Sequence, residues 1–383
     1  MTEPTGIPPS DPLPASPLPP QPPPPAAPPR FGSLPPLPRK RAASFWVAIV
    51  LSIVLVLSLL SNLMLLGAVF VVAGTAQVSG TERHYSEKLV EGSGEDKVVI
   101  IDVEGIISSM RDGMLFGGRT SMCERITQQL RQAAGDSSVK AVILAVNSPG
   151  GTVTASDVIC NEVRKVQAAG KKVVVHMGDL CASGGYYVSA PAEWIVASPT
   201  TITGSIGVIL NTIDASELLV QKLGIREAPV KSGRYKDMGS FSRPMTDEER
   251  AILQGMIDSA YDRFVDIVAN GRNGHANFSG PVEQTRAAVR KLADGRIYSA
   301  QQAAGNGLAD ALGYLEDAIA KAKALAGLSS AKVVRYVRPE TLADLLGAGA
   351  ESKLNINTGV QVELNKLLDG ATPRLEYRWR PGI

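Results

Sequence analysis

A long run without charged residues divides the chain into two parts that cannot share one core. The 40 residues from 42 to 81 contain no Asp, Glu, Lys or Arg, and the stretch from 45 to 73 is predominantly apolar. About 20 apolar residues in a helix cross the ~30 Å hydrocarbon core of a bilayer. The apolar part of a cleavable leader is shorter, at about 7 to 15 residues. We therefore predict a retained transmembrane anchor at residues 42–75, rather than a leader or the buried helix of a soluble core.

The residues before this anchor predict its orientation. Arg39, Lys40 and Arg41 immediately precede the apolar run. Because basic residues accumulate on the cytoplasmic side of a membrane, the N-terminus is expected in the cytoplasm and the chain after about residue 75 on the opposite side. Residues 1–41 hold 17 of the 26 prolines and few core-forming residues, so they are predicted to be a disordered tail. A docking segment for SH3-like partners is the alternative to a plain solvated extension.

Composition excludes several classes of function. The formal net charge is only +2, and the charges are interspersed, so the chain lacks the basic stripe that nucleic-acid binding requires. Its three cysteines have no CxxC spacing, and its three histidines form no HExxH-like pair. We predict no disulfide framework, no metal site and no other cofactor.

From about residue 97 the pattern changes to short apolar strands that alternate with amphipathic helices. The segments "KVVIIDVEGII", "KAVILAV", "KKVVVHMG", "WIVASPT" and "GSIGVIL" are predicted strands, and "SMCERITQQLRQAA" and "TVTASDVICNEVRKVQAAG" are predicted helices. A long helix is predicted over residues 246–270, with Thr246 as its cap. Such alternation is typical of βαβ units with parallel strands. We predict a linker at 76–96, one α/β domain at 97–326 and a C-terminal extension at 327–383, in which "AKVVRYVRP" is one more strand and the remainder a partner-dependent or mobile tail.

Three glycine-rich turns follow predicted strands, where parallel sheets place their ligands. They are "NSPGGTV" at 147–153, "CASGGYY" at 181–187 and "TGSIGV" at 203–208. Ser183 begins a predicted helix, and the backbone amides of Gly151 and Gly184 have no side chain in front of them, which suits an attacking hydroxyl and a developing oxyanion. The alternatives are an ordinary helix-capping serine and an ordinary strand-to-helix turn.

A nucleophile at Ser183 needs a base, and no histidine lies near it in sequence except His176, which is within a strand. Cys181 is the rival nucleophile, but a reactive thiolate also needs a cationic or histidine partner. A lysine whose pKa is lowered by burial can serve as the base. Lys231 and Lys236 both lie between the last strand and the long helix, and composition does not choose between them.

Four motifs in this order and spacing resemble the signal peptide peptidase A family of membrane-anchored serine proteases. They are "NSPGG", "ASGGYY", "TGSIGV" and "GRYKDMGS…R.MT.EER", and the likeness extends to "DGRIYSAQQAAGNGLADALG", so that it covers roughly residues 97–325. The resemblance implies a ClpP/crotonase type of α/β fold with stacked ββα units, in the short single-domain form. It also implies a bacterial cell-membrane location, a homo-oligomer, and substrates that are remnant signal peptides and other hydrophobic peptides.

Residue roles follow from the resemblance position by position. Ser183 matches the nucleophile, and Lys236 matches the general base in preference to Lys231. Ser205 matches the serine that orients the lysine amine, and the amides of Gly151 and Gly184 match the oxyanion hole.

The chain departs from the common family pattern at Ala145, where many relatives have arginine, and at Cys181, which adds a thiol near the nucleophile. Two functions of other classes remain as alternatives. A crotonase-like acyl-CoA enzyme would use a similar oxyanion hole without the serine–lysine pair. A catalytically silent scaffold would tether partners through the proline-rich tail.

Overall fold

The computed structural model describes residues 41–78, 84–110, 120–275, 277–338 and 375–378. The proline-rich tail predicted for residues 1–41 lies outside these residues except for Arg41. The described chain divides after Gly80 into two compact units.

The first unit contains one helix, α1 (Arg41–Val78). Its segment Phe45–Gly67 has a mean hydropathy of 2.7, and its side chains are not buried by other parts of the protein. These 23 residues extend about 34 Å as a helix, which is enough to cross a hydrocarbon core. The helix is therefore long and apolar enough to serve as the predicted anchor.

The second unit is an α/β domain. Its helices are α2 (Met122–Gly135), α3 (Val153–Ala168), α4 (Gly184–Ser189), α5 (Asp247–Arg272), α6 (Val282–Leu292), α7 (Ala300–Gly305) and α8 (Leu315–Leu325), with a π-helical turn at Leu218–Lys222. Its strands are β1 (Ser86–Glu91), β2 (Lys97–Glu104), β3 (Val139–Ser148), β4 (Gly150–Thr152), β5 (Lys172–Ala182), β6 (Trp194–Ala197), β7 (Ile202–Gly204), β8 (Ile209–Leu210), β9 (Ile297–Ser299), β10 (Ala311–Leu312), β11 (Lys332–Val337) and β12 (Leu375–Arg378).

The main sheet has the order β1-β11-β2-β3-β5-β6-β10, and β7 branches from the end of β5 to pair with β9. Strands β11, β2, β3, β5, β6 and β10 run parallel to one another, as the alternating pattern predicted, whereas β1 is antiparallel to β11. Side chains along β2 alternate between two cores: Val99 and Ile101 pack on the side of α2 and α3, whereas Val98 and Ile100 pack on the side of α8. The sheet is thus buried on both faces, and the loops at its carboxyl edge are left to form a site.

A second, small sheet has the order β4-β12-β8, and β12 is antiparallel to both neighbours. One edge strand, β4, lies within the glycine-rich turn at 147–153, and the other, β8, directly follows the turn at 203–208. The middle strand comes from residues 375–378. This sheet joins residues that are more than 160 positions apart in sequence.

The structure differs from the sequence-based prediction at three places. Residues 86–91, predicted as linker, form β1. All six side chains of this strand are exposed, so its sequence lacks the alternation of apolar and polar residues that predicts a strand. Most of the predicted strand "GSIGVIL" is instead the turn that leads from β7 to the two-residue strand β8, because Gly204 and Ser205 have φ values of 85° and 50° and turn the chain away from β5. Residues 375–378, predicted as part of a tail, form β12. The predicted strand at "AKVVRYVRP" is confirmed as β11, and the Thr246 cap of the long helix is confirmed by a capping box with Glu249.

Candidate active site

Ser183 stands at the junction between the end of β5 and the start of α4. Its backbone has φ 54° and ψ −116°, a conformation that residues other than glycine rarely adopt. Two hydrogen bonds hold it: the Ser183 N–H donates to the Gly204 carbonyl at 2.7 Å, and the Tyr187 N–H donates to the Ser183 carbonyl at 2.8 Å. Strain of this kind costs about 1–3 kcal/mol and is concentrated at functional sites.

The Ser183 hydroxyl does not cap the helix that it precedes. No hydrogen bond joins its side chain to the first turn of α4. The residue is almost fully buried, yet it lines a cavity of about 540 Å³ together with Ser205. A strained strand-to-helix turn that exposes a serine oxygen is the geometry of a nucleophile elbow. The sequence analysis did not predict it, because the G-x-S-x-G pattern that signals such a turn is absent here.

Gly150, Gly151 and Gly184 lie together beside this serine. A Cβ added to Gly150 would be 2.5 Å from the Gly184 nitrogen, and one added to Gly184 would be 3.0 Å from the Gly150 Cα. Ile107 donates to the Gly150 carbonyl and accepts from Thr152, both at 2.9 Å. Since neighbouring peptide groups of a strand point in opposite directions, the Gly151 N–H faces the other way, towards β12. The amides predicted for the oxyanion hole therefore border one gap, and Gly150, the neighbouring glycine of the same predicted turn, shapes it.

A side chain at position 150 is expected to block this gap. A Cβ there would lie 2.0 Å from the Tyr377 carbonyl oxygen of β12, and φ at Gly150 is 95°. We expect Gly150→Ala to reduce peptide hydrolysis by at least about 100-fold, because a displacement of about 1 Å at reacting groups has that effect.

Gly170→Ala is the matched control, since φ there is 79° but nothing lies within 4 Å of the added Cβ. It should cost about 1 kcal/mol of stability and leave activity unchanged. Equal activity of the two variants, measured with a fluorogenic peptide, would contradict this role for Gly150.

Ser205 has a φ of 50° and is, with Ser183, one of two described residues other than glycine with a positive φ. Its N–H donates to the Arg296 carbonyl at 2.7 Å, which fixes the turn after β7. The side chain is largely buried and lines the same cavity as Ser183. The structure thus brings Ser183, Ser205, Gly151 and Gly184 close together.

Lys236 is not part of this cavity. Its side chain is exposed, it belongs to a stretch from 221 to 236 that is exposed throughout, and it is not among the residues that line the cavity of Ser183. The expectation that the lysine is buried is therefore not met within a single copy of the chain. Lys231, the other candidate base, donates to Asp237 at 2.5 Å and is occupied by that ion pair.

An arginine clamp fixes the loop that carries Lys236. Arg243 donates through Nη2 to Asp237 at 2.9 Å and through Nη1 to Glu249 at 2.9 Å, and Glu249 also accepts from the Thr246 N–H at 3.0 Å. The bonds from Arg243 and Thr246 lower the pKa of Glu249 to about 2. Bonds from Arg243 and Lys231 likewise lower the pKa of Asp237. Lys236 is thus presented at the surface next to an ordered, ionised cluster at the start of α5.

Cys181 and Ala145 are not among the residues that line the cavity of Ser183. Cys181 is fully buried, its Sγ lies 3.3 Å from the Ser189 hydroxyl, and burial raises its pKa to about 12. A thiol with so high a pKa is protonated near neutral pH and is a poor nucleophile. Ala145 lines a different, smaller cavity, next to Asp102 and His176. Among the described residues, no cluster of three or more His, Cys, Asp or Glu is placed to hold a metal ion.

Tyr377 is a site residue that the sequence analysis missed. Its ring is fully buried and stacks on Tyr187 with 4.9 Å between centroids, and it lies 4.7 Å from the ring of Phe264. Its hydroxyl donates to the Ala260 carbonyl at 2.6 Å. The following residue, Arg378, lines the same cavity as Ser183 and Ser205. The only signal in the sequence was the aromatic pair after "ASGG", which supplies Tyr187.

Comparisons with known proteins identify the family of this chain and its type of fold. The model of peptidase family S49 matches residues 165–329, and that of the Clp protease family matches residues 109–195. An Enterococcus faecium protein named for signal peptide peptidase SppA is 39% identical over 262 residues, which are 68% of this chain and 73% of the relative. This chain belongs to peptidase family S49. The S49 chain is also 34% identical over 284 residues to the chloroplastic serine protease SPPA of Arabidopsis thaliana, where the match covers 73% of this chain and 40% of the relative.

The S49 chain is therefore a protease with a Clp-protease type of α/β fold, which confirms the predicted family and fold class. Among solved structures, a ClpP1 mutant from Listeria monocytogenes matches 57% of this chain and 94% of its own length, with a TM-score of 0.36 and 17% identity.

Proposed function

We propose that the protein is a membrane-anchored serine endopeptidase that degrades remnant signal peptides and other hydrophobic peptides. The observation that carries this proposal is the strained turn at Ser183, whose hydroxyl is not used as a helix cap, which lines a cavity with Ser205, and which has Gly150 and Gly184 beside it. The name of the Arabidopsis relative, a serine protease, supports the serine type. The roles of the individual residues are part of the same proposal.

In the proposed mechanism, the Ser183 hydroxyl attacks a peptide carbonyl carbon while the neutral amine of Lys236 accepts its proton. The amides of Gly151 and Gly184 bind the negative oxygen that develops, at the place where no side chain stands between them and the substrate. The protonated lysine then gives its proton to the leaving amine. Water attacks the resulting ester in the same manner, which releases the new carboxylate and restores Ser183.

We further propose that Lys236 reaches Ser183 of a neighbouring copy of the chain. Within one copy the cavity holds Ser183 and Ser205 but not Lys236. The segment that carries Lys236 also exposes large apolar side chains, including those of Leu218, Leu223, Ile225, Val230 and Phe241. Such a surface is typical of an interface between subunits. An interface there would bury the lysine, and burial lowers an amine pKa towards neutrality, as the base requires.

Anchoring by α1 places the domain at the membrane surface, where hydrophobic peptide remnants are found. We propose that the N-terminus is cytoplasmic and the protease domain extracytoplasmic, because Arg39, Lys40 and Arg41 precede the helix. A substrate held near the membrane needs no long diffusion to reach the domain.

Covalent labelling tests the serine assignment. A fluorophosphonate probe is expected to add one adduct to the wild-type protein, at Ser183, and none to Ser183→Ala. The probe reacts only with an activated serine, so a helix-capping serine would stay unmodified. Absence of labelling in an assembled, detergent-solubilised protein would contradict the proposal and would favour a scaffold, whereas acyl-CoA turnover without peptide cleavage would favour a crotonase-like enzyme.

A further inference from the structure

Ser148, in the first glycine-rich turn, is a buried polar residue that the proposed mechanism does not use. It is the last residue of β3, and its side chain is completely buried. Its neighbour across the sheet is Cys181, two residues before Ser183 on β5. Most serines of folded proteins are exposed, and a buried hydroxyl needs hydrogen-bond partners. The partners of Ser148 therefore indicate what the residue does.

The Ser148 hydroxyl makes two hydrogen bonds, and both of them hold the turn in place. It donates to the Gly105 carbonyl, just beyond the end of β2, at 2.6 Å. It also accepts the N–H of Gly150 at 3.0 Å. Gly105 in turn donates to the Asn147 carbonyl at 3.0 Å. The hydroxyl thus ties the turn after β3 to the end of the neighbouring strand.

The bond to Gly150 restrains the peptide group that carries the Gly151 amide. Glycine adopts positive and negative φ almost equally well, and φ at Gly150 is 95°. The Gly150 N–H is held by Ser148, and the Gly150 carbonyl accepts the Ile107 N–H at 2.9 Å. That carbonyl and the Gly151 N–H belong to one planar peptide group. Bonds on both sides of the Gly150 Cα therefore fix the direction in which the Gly151 N–H points.

Ser148 also packs against the helix that follows the nucleophile. A Cβ added to Gly185 would be 2.8 Å from the Ser148 carbonyl oxygen and 3.4 Å from the Ser148 Cβ. One added to Gly184 would be 3.0 Å from the Gly150 Cα. The turn and the start of α4 are thus in backbone contact. A shift of the turn would therefore change the spacing between the Gly151 and Gly184 amides.

We propose that Ser148 is a positioning residue, which acts through Gly150 to aim the Gly151 amide at the oxyanion. This inference rests on the proposed function. Ser148 is not among the residues that line the cavity of Ser183, so its effect on the reaction is indirect. A donor aimed at the developing negative oxygen stabilises the transition state more than the bound substrate. Loss of the Ser148 hydroxyl should therefore lower kcat and leave KM nearly unchanged.

The kinetics of Ser148→Ala, measured with a fluorogenic peptide and the assembled protein in detergent, test the inference. We expect kcat to fall about 100-fold, because misalignment of one oxyanion donor has an effect of that size. KM should change less than about threefold, as for an interaction made only in the transition state. A wild-type kcat in this variant would overturn the inference.

Ser189→Ala is the matched control for the loss of a buried serine hydroxyl. Ser189 is also fully buried, and its hydroxyl also donates to a backbone carbonyl, that of Gly185, at 2.7 Å. Its kcat should stay within about tenfold of the wild-type value. An equal fall of kcat in the two variants would show that any lost buried hydroxyl has this effect, and would overturn the specific role of Ser148.

Inhibition by a peptide aldehyde gives a readout that lower stability alone would not change. The aldehyde adds to the serine hydroxyl, and the oxygen of the tetrahedral adduct mimics the oxyanion of the transition state. Its inhibition constant should rise by the same factor by which kcat/KM falls. If Ser148→Ala only reduced the amount of folded protein, a fluorophosphonate would label fewer sites while the inhibition constant stayed at the wild-type value. That result would overturn the positioning role.

Ser148→Cys provides the same test if the alanine variant does not fold. A thiol is close in size to a hydroxyl but is a weaker donor and acceptor, so kcat should fall about tenfold and the inhibition constant should rise to match. Hydrolysis by the wild type, with unchanged constants in the Ser148 variants, would overturn the positioning role alone. A wild-type protein that neither hydrolyses the peptide nor binds the aldehyde would overturn the proposed function itself.

Discussion

Ser183→Ala is expected to lower peptide hydrolysis by at least about 10⁴-fold while the protein stays folded. Removal of a serine nucleophile leaves only the binding and oxyanion contributions to the rate. The fold should tolerate the change because no cap bond is lost: the Ser183 side chain makes none with α4. The ratio of kcat/KM values for a fluorogenic peptide measures the effect, and thermal unfolding monitors the fold.

Two further variants distinguish loss of the nucleophile from an effect on stability. Ser183→Gly should be as inactive as the alanine variant but more stable by about 1 kcal/mol, because glycine adopts φ 54° without strain. Ser189→Ala is the matched control on the same helix: its hydroxyl is also buried and donates to the Gly185 carbonyl at 2.7 Å, away from the reacting groups. It should retain activity within about tenfold. If Ser183→Ala kept wild-type kcat/KM, another residue would have to be the nucleophile.

Lys236→Ala should also lower hydrolysis, by about 10³-fold or more, because it removes the amine that is proposed to accept the serine proton. Lys231→Ala should have a much smaller effect, since Lys231 is paired with Asp237. The reverse result, with activity lost only in Lys231→Ala, would show that the other lysine is the base.

Mixed assemblies of two inactive variants test whether Lys236 acts on a neighbouring copy. When Ser183→Ala and Lys236→Ala chains are co-expressed in equal amounts and assemble at random, about a quarter of the sites combine an intact serine with an intact neighbouring lysine. Hydrolysis should recover to roughly that fraction of the wild-type rate. Differently tagged chains that co-purify without any recovery of hydrolysis would show that both residues act within one copy.

The periodicity of the sequence was sufficient to predict the central part of the fold. Buried parallel strands such as β3 and β5 are nearly continuous apolar runs, and α2 and α3 carry their apolar residues at helical spacing, so the pattern is local and readable. The same approach failed for β1, whose side chains are exposed on both faces. It also failed for β12, because its pairing joins the end of the chain to strands far away in sequence.

The sequence predicted which residues belong to the candidate site but not how they are arranged. Ser183, Ser205, Gly151 and Gly184 could be named from motifs, but the positive φ of both serines depends on backbone bonds to Gly204 and Arg296 that no local pattern encodes. The exposure of Lys236 could not be anticipated either, since a lysine in a loop has the same sequence signature whether it faces solvent or another subunit.

The small size of the strand edges beside Ser183 is expected to limit which peptides the proposed endopeptidase can digest. Strand β4 contributes three residues and β8 two, and they face a single extended chain from opposite sides. A helical signal peptide remnant or a folded protein offers no free main-chain groups to these edges until several consecutive residues have unwound. We therefore expect the ease with which a peptide unwinds to contribute to its selection, and compact neighbouring proteins to be protected from digestion.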